Sequence, residues 1–152
     1  MTANHSAPAF ALIMLLTGIG IPILAALNGG LGARLGNPMA ASMILFGLAF
    51  LIATAGALMT GSVGQIRFTS DIPPQFYFGG LFVAFYVIAV TFIAPKFGVG
   101  NAIFFVLVGQ LVSAATIDHF GLFGAMRSAI DLKRVAGIGL MVAGVYLARR
   151  TA

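Results

Sequence analysis

Residues 133–150 read KRVAGIGLMVAGVYLARR, an uncharged run, Val135–Ala148, held between the basic pairs Lys133-Arg134 and Arg149-Arg150. As a helix this run is about 21 Å long at 1.5 Å per residue, whereas the hydrocarbon core of a bilayer is about 30 Å thick. The flanking side chains make up part of the difference. Long basic residues lay their aliphatic stems along lipid and carry the charge out to the headgroups. A bilayer also thins locally around a short span. Val135–Ala148 is therefore expected to cross the membrane, and that expectation decides the architecture, because it sets the side on which each basic residue lies.

Upstream, the stretches free of Asp, Glu, Lys and Arg run 2–33, 35–66, 72–95 and 97–117. Each is long enough for the roughly 20 apolar residues that a spanning helix needs. The spans are expected near 9–27, 39–59, 76–94, 99–117 and 135–148, making the whole chain, 1–152, one transmembrane domain with an all-α fold of five transmembrane helices. Asn37-Pro38 and Asp71-Ile72-Pro73-Pro74 break the chain before the second and third spans, and Ala94-Pro95-Lys96 ends the third. The charged and apolar segment 118–134 reads as a turn with a short interfacial helix. No Lys or Arg precedes Arg34, so the first apolar run lacks the basic start of a secretory signal and is expected to stay.

Composition excludes the main alternatives. Of the 152 residues, 61% are hydrophobic and 7% charged, against about a quarter charged in soluble domains. A water-soluble core would have almost nothing polar to cover it, so lipid is the expected partner of most of the surface. The absence of cysteine removes disulfides and thiolate chemistry. His5 and His119 are too few and too distant for a metal cluster, and no cofactor is implied. The formal net charge is +5, but the basic residues stand singly between apolar runs without a nucleic-acid-binding stripe. The basic balance is a topology signal.

With five spans, Arg67, Arg127, Lys133 and Arg134 fall on one side, and Arg34, Lys96, Arg149 and Arg150 on the other. The Lys/Arg bias that orients a membrane protein is then zero. Two readings follow: insertion both ways with an antiparallel homodimer, or orientation fixed by an oppositely inserted paralogue. The homodimer would have ten helices related by a two-fold axis in the membrane plane, the inverted-repeat geometry of many secondary transporters.

Few residues offer chemistry. Small residues four apart, Gly80 and Ala84, Gly98 and Ala102, Gly109 and Ser113, suit close helix packing in lipid. Gly18-Ile19-Gly20-Ile21-Pro22 predicts a kink or an opened turn, because proline lacks the amide donor and clashes with the carbonyl four residues earlier. Such turns line substrate sites in transporters, or merely aid packing. Asn28, before Gly29-Gly30, reads as a helix C-terminal cap or a ligand contact. Tyr86 lies in the third span, and Asn101, Gln110 and Ser113 in the fourth. Gln110, at mid-bilayer, is the leading pore-lining candidate, with interhelical bonding as its competitor. Pro22, Asn28, Tyr86, Asn101 and Gln110 are the expected substrate-lining set. Asp118-His119 is the one acid–imidazole pair. It reads as a proton-coupling or gating pair, or as an interfacial salt bridge using His119, Arg127 or Arg134. No nucleophile elbow, phosphate loop or zinc motif is present, which argues against an enzyme.

Three blocks carry a family resemblance. Gly79-Gly80, Tyr86-Val87 and Ala94-Pro95-x-x-Gly98 form the first. Gly109-Gln110-Leu111 with Asp118-His119-Phe120-Gly121-Leu122-Phe123-Gly124 forms the second. Arg134-x-x-Gly137-x-x-Leu140-Met141-x-x-Gly144-Val145-x-Leu147 forms the third. With Asn28, Leu31, Gly36 and Pro38 they resemble the YdcZ-like branch of the drug/metabolite transporter superfamily over about residues 10–150. The resemblance implies a multi-pass protein of the bacterial inner membrane, equivalent to half of a ten-helix inverted-repeat transporter. Leu24 stands where members often carry Gln two residues after the first-span proline. The small multidrug transporters of the same superfamily use a Glu in their first helix. This chain has no Glu, and no Asp before Asp71, which points to a neutral, zwitterionic or anionic cargo. The leading functional expectation is a secondary transporter of a small organic solute by alternating access across an antiparallel dimer. A small dual-topology ion channel and a non-transporting partner subunit are the alternatives.

Overall fold

A computed structural model of the protein describes residues 7–67 and 71–148. His5, Arg149 and Arg150 lie outside the described residues. Five α-helices follow in order: α1 (Ala7–Leu35), α2 (Pro38–Met59), α3 (Gly79–Phe97), α4 (Val99–Phe120) and α5 (Leu132–Ala148). A 3₁₀ turn, Pro74–Phe78, leads into α3. The described residues contain no strand. Helices α1, α2, α3 with its leading turn, and α4 are long and apolar enough to cross a membrane. Helix α5 has 17 residues, about 25 Å of helix.

The first helix corrects the expected boundary. It does not end at Asn28-Gly29-Gly30 but continues to Leu35, so Asn28 is not a C-terminal cap. The helix also runs unbroken past Pro22, so the opened turn expected there is not found. The true stop is Gly36, whose φ of +63° is the left-handed conformation that glycine adopts without a steric cost. Asn37 N–H closes the end on the Gly32 carbonyl at 3.0 Å. Asn37 also starts α2: its side-chain oxygen accepts from the amides of Met39 and Ala40 at 3.0 and 3.1 Å. Pro38 follows in the first helical turn, where a missing donor costs nothing.

Helix α3 carries Pro95 within its last turn and ends at Phe97. Gly98 alone links it to α4. The segment after α4 differs from the expected interfacial helix. It is a left-handed cap at Gly121, a 3₁₀ turn over Leu122–Gly124, and then irregular chain up to α5. Two glycines and the left-handed Phe123, with a φ of +56°, prevent a longer helix from forming there.

Helices α1 and α3 lie at the centre, α2 packs on both, α4 packs on α3 and α1, and α5 packs on α4. The end of α1, the start of α2 and the end of α3 share one groove, with Gly36, Pro38 and Lys96 on its wall. At the opposite end, Gln75 and Phe76 before α3 share a cavity with Ile117 at the end of α4 and Phe123 just beyond it. Ala148, the last residue of α5, lines a cavity with Gly98 and Asn101 at the start of α4. Helix α5 therefore runs back along the length of α4.

The buried core is small and made of small side chains: Ala25, Val90, Ala94 and Ala102 form its centre. Leucines, isoleucines and phenylalanines point outward instead, as with Leu27, Phe50, Phe82 and Phe85. In water this would be an inverted fold. In lipid it is the expected one, because tails solvate large apolar groups and small residues permit close helix contact.

Candidate functional site

The α1–α3 contact is built from glycine, proline and a buried polar pair. A methyl group on Gly29 would lie 3.1 Å from the Pro95 ring, and one on Gly32 would lie 3.2 Å from Pro38 Cα and 3.4 Å from the Thr91 methyl. These glycines let three helices meet. Asn28, 4% exposed, donates from Nδ2 to the Thr91 hydroxyl oxygen. Thr91 in turn donates to the Val87 carbonyl at 2.7 Å. An interhelical bond of this kind contributes about 0.6 kcal/mol on average within a membrane. At the same end of α3, Lys96 Nζ sits 3.5 Å over the Phe92 ring.

Tyr86, one turn before Val90, packs on the core cluster together with Val99, Ile103 and Val106. Its hydroxyl is buried and has no hydrogen-bond partner among the described residues. A buried hydroxyl left without a partner costs about 1–3 kcal/mol. Asn101 is buried at the start of α4 and donates to the Phe97 carbonyl at 3.0 Å. Pro22 is half-buried. Gln110 is exposed on the outer surface of α4, one turn beyond Val106.

The expected lining residues do not converge on one chamber within this chain. Asn28 lines a groove of about 300 Å³ with Leu24, Leu31 and residues of α2. Asn101 lines a separate cavity of about 390 Å³ between the start of α4 and the end of α5. Neither includes Pro22, Tyr86 or Gln110.

Asp118 and His119 are adjacent in sequence but engage different partners. Asp118 Oδ2 accepts from Arg134 Nη2 in a salt bridge between α4 and α5. His119 Nδ1 accepts from the Ile130 amide at 3.0 Å. The loop also satisfies carbonyls left open at the α4 end: Ser128 N–H reaches Asp118 O at 2.8 Å, and Arg127 Nε reaches His119 O at 3.3 Å. Asp131 then caps α5, its Oδ1 accepting from the Arg134 amide at 2.7 Å. No group of three or more potential metal ligands occurs among the described residues.

Sequence reasoning passed over two features here. Thr91, the one aliphatic hydroxyl in the apolar run of α3, is the partner of Asn28, and its presence in that run was the available signal. Of the small pairs singled out by spacing, Gly98 and Ala102 contribute Ala102 to the buried core, whereas a methyl on Gly80 or Gly109 meets nothing within 4 Å. Gly29 and Gly32 make the close approaches instead. Their spacing of three was visible, but not which helix would face them.

The profile of a family described as "Putative inner membrane exporter, YdcZ" matches residues 9–147. No curated protein and no solved structure matches the chain.

Proposed function

The chain belongs to the YdcZ branch of the drug/metabolite transporter superfamily, multi-pass exporters of the inner membrane, and on that premise we propose that it is a secondary transporter of a small organic solute. It works by alternating access across an antiparallel pair of copies, each supplying five spans of a ten-helix inverted repeat. The placement of α5 supports the fifth span. It starts at the Asp118–Arg134 salt bridge and ends beside Gly98 and Asn101, so it runs along α4 from Asp118 back to Asn101. With five spans the basic residues divide equally between the two sides, leaving neither orientation favoured.

One observation carries the carrier reading. Polar groups suited to a ligand are present, but one chain leaves them apart: Tyr86 with an unpartnered hydroxyl, Asn28 and Asn101 on separate grooves, and Gln110 on the outer surface. A second, inverted copy facing α4 would enclose Gln110. Pro22, with no amide to donate, leaves the Gly18 carbonyl on α1 open as a further acceptor. Asp118 and His119 sit at the end of the bundle, where they gate rather than line the path. Helices α1 to α3 contain no Asp or Glu, and α4 none before Asp118, so the cargo is neutral, zwitterionic or anionic.

The test joins orientation to flux. Two reporters, one active only in the cytoplasm and one only outside it, are fused after Arg150. Comparable activity from both is expected, and activity from one alone overturns the homodimer. The solute is identified by comparing small molecules released from cells making the wild-type chain with those from cells making Gln110→Leu. Loss of release with pairing intact supports the site. Loss of pairing instead makes Gln110 structural.

A further inference from the structure

Helix α5 is the least secured element of the fold. None of its described residues is buried, and it packs on α4. Its start is held by polar contacts rather than by a core. One of them depends on protonation in a way the others do not. His119 Nδ1 accepts the Ile130 N–H at 3.0 Å, and it can do so only while that nitrogen carries no proton. Ile130 immediately precedes Asp131, the residue that caps α5. The bond thus ties the last turn of α4 to the residue before the α5 cap, across eleven positions of sequence.

We propose that His119 is a proton-operated latch, holding the start of α5 against the end of α4 while neutral and releasing it when protonated. A proton on Nδ1 would point at the Ile130 N–H, setting donor against donor. The imidazole packs edge-on against Phe120 with centroids 4.7 Å apart. The charged side chains at this end of the bundle are Arg67 and Asp71 before the leading turn of α3, Asp118 on α4, Arg127 and Asp131 in the loop, and Lys133 and Arg134 on α5. Asp118 is neutralised by Arg134, Arg127 sits on the His119 carbonyl, and Asp131 accepts from the Arg134 amide. Lys133 flanks them on α5, and residues 72–95, which include α3 and its leading turn up to Pro95, carry no charged side chain. The Asp118–Arg134 salt bridge does not involve the imidazole, so it remains as the hinge about which α5 moves. The latch does not rest on the carrier reading, since its readout needs no solute.

The experiment measures backbone amide exchange in the full chain embedded in lipid nanodiscs, at about pH 8 and about pH 5, spanning the histidine range. Rates are corrected for the pH dependence of chemical exchange. Ile130 and Ser128 are expected to lose protection at the lower pH by about tenfold, the equivalent of one hydrogen bond. His119→Asn keeps an acceptor that takes no proton, so its protection should be the same at both pH values. His119→Phe removes the acceptor and should expose the amides at both. Unchanged protection in the wild-type chain overturns the latch. So does loss of protection in His119→Asn at low pH, which would place the titrating group elsewhere, or retained protection in His119→Phe at high pH.

Discussion

Gly32→Ala tests the point where α1 meets both α2 and α3, with Gly30→Ala as its internal control. Both positions lie in α1, so both substitutions gain the same preference for helix, about 1 kcal/mol. They differ in what the new methyl meets. At Gly30 the nearest atom is the tip of the flexible Arg34 side chain, at 3.4 Å, which can swing away. At Gly32 it is Pro38 Cα at 3.2 Å, with the Thr91 methyl at 3.4 Å and Ala41 Cβ at 3.6 Å. Carbon atoms prefer separations of about 3.5–4.0 Å, so α1 must part from α2 and α3 by a few tenths of an ångström. At this end it cannot do so freely, because only Gly36 and Asn37 join α1 to α2. Overpacking a fitted contact costs about 1–3 kcal/mol. Gly30→Ala should therefore stabilise by up to about 1 kcal/mol, and Gly32→Ala should be less stable than it by about 2 kcal/mol. The assay is equilibrium unfolding in mixed micelles, following helical circular dichroism as the denaturing detergent is raised. If the two variants agree within about 0.5 kcal/mol, below the smallest overpacking cost expected, the three helices do not meet as described.

Three further outcomes follow from named contacts. Asn28→Ala and Thr91→Val, singly and combined, should show a coupling of about 0.6 kcal/mol and no more than about 1.7 kcal/mol in the same unfolding assay; additive effects would mean that the buried bond contributes nothing. Asp118→Asn should cost less than about 1 kcal/mol, because both partners of the salt bridge are about a third exposed. That cost should disappear in the Arg134→Gln background, and its persistence there would deny the pairing. Asn37→Ala removes the acceptor for two amides at the start of α2 and should destabilise by about 1 kcal/mol, whereas Asn37→Ser should recover most of the loss in thermal unfolding.

Sequence patterning read the existence and order of the helices well, and it did so for a physical reason. A charge cannot rest cheaply in hydrocarbon, so each uncharged run of sufficient length marks a helix; Arg34, Lys96 and Asp118 fall in the last turns of α1, α3 and α4, and Arg67 between α2 and α3. Local turn chemistry was equally informative where a single residue sufficed, as with Asn37-Pro38 at the start of α2. It misled where tertiary contact overrode it. Asn28-Gly29-Gly30 has the local form of a helix stop, yet α1 continues because Asn28 finds Thr91 and the glycine beside it accommodates Pro95. At the α4–α5 turn, Asp118 had three possible cationic partners by sequence, and only the fold brings Arg134 onto it and leaves His119 to the Ile130 amide.

Membrane residence, helix order and membership of an exporter family were thus written in the order of the residues, since lipid acts on each segment of about 20 residues separately. Which helices touch, which polar group is left without a partner, and where α5 lies were not. Those depend on pairs of residues distant along the chain, such as Asn28 with Thr91 and Asp118 with Arg134. Between helices already in lipid no hydrophobic gain selects the neighbour. Fit between small residues and a few hydrogen bonds decides it, and that fit exists only once the helices are side by side.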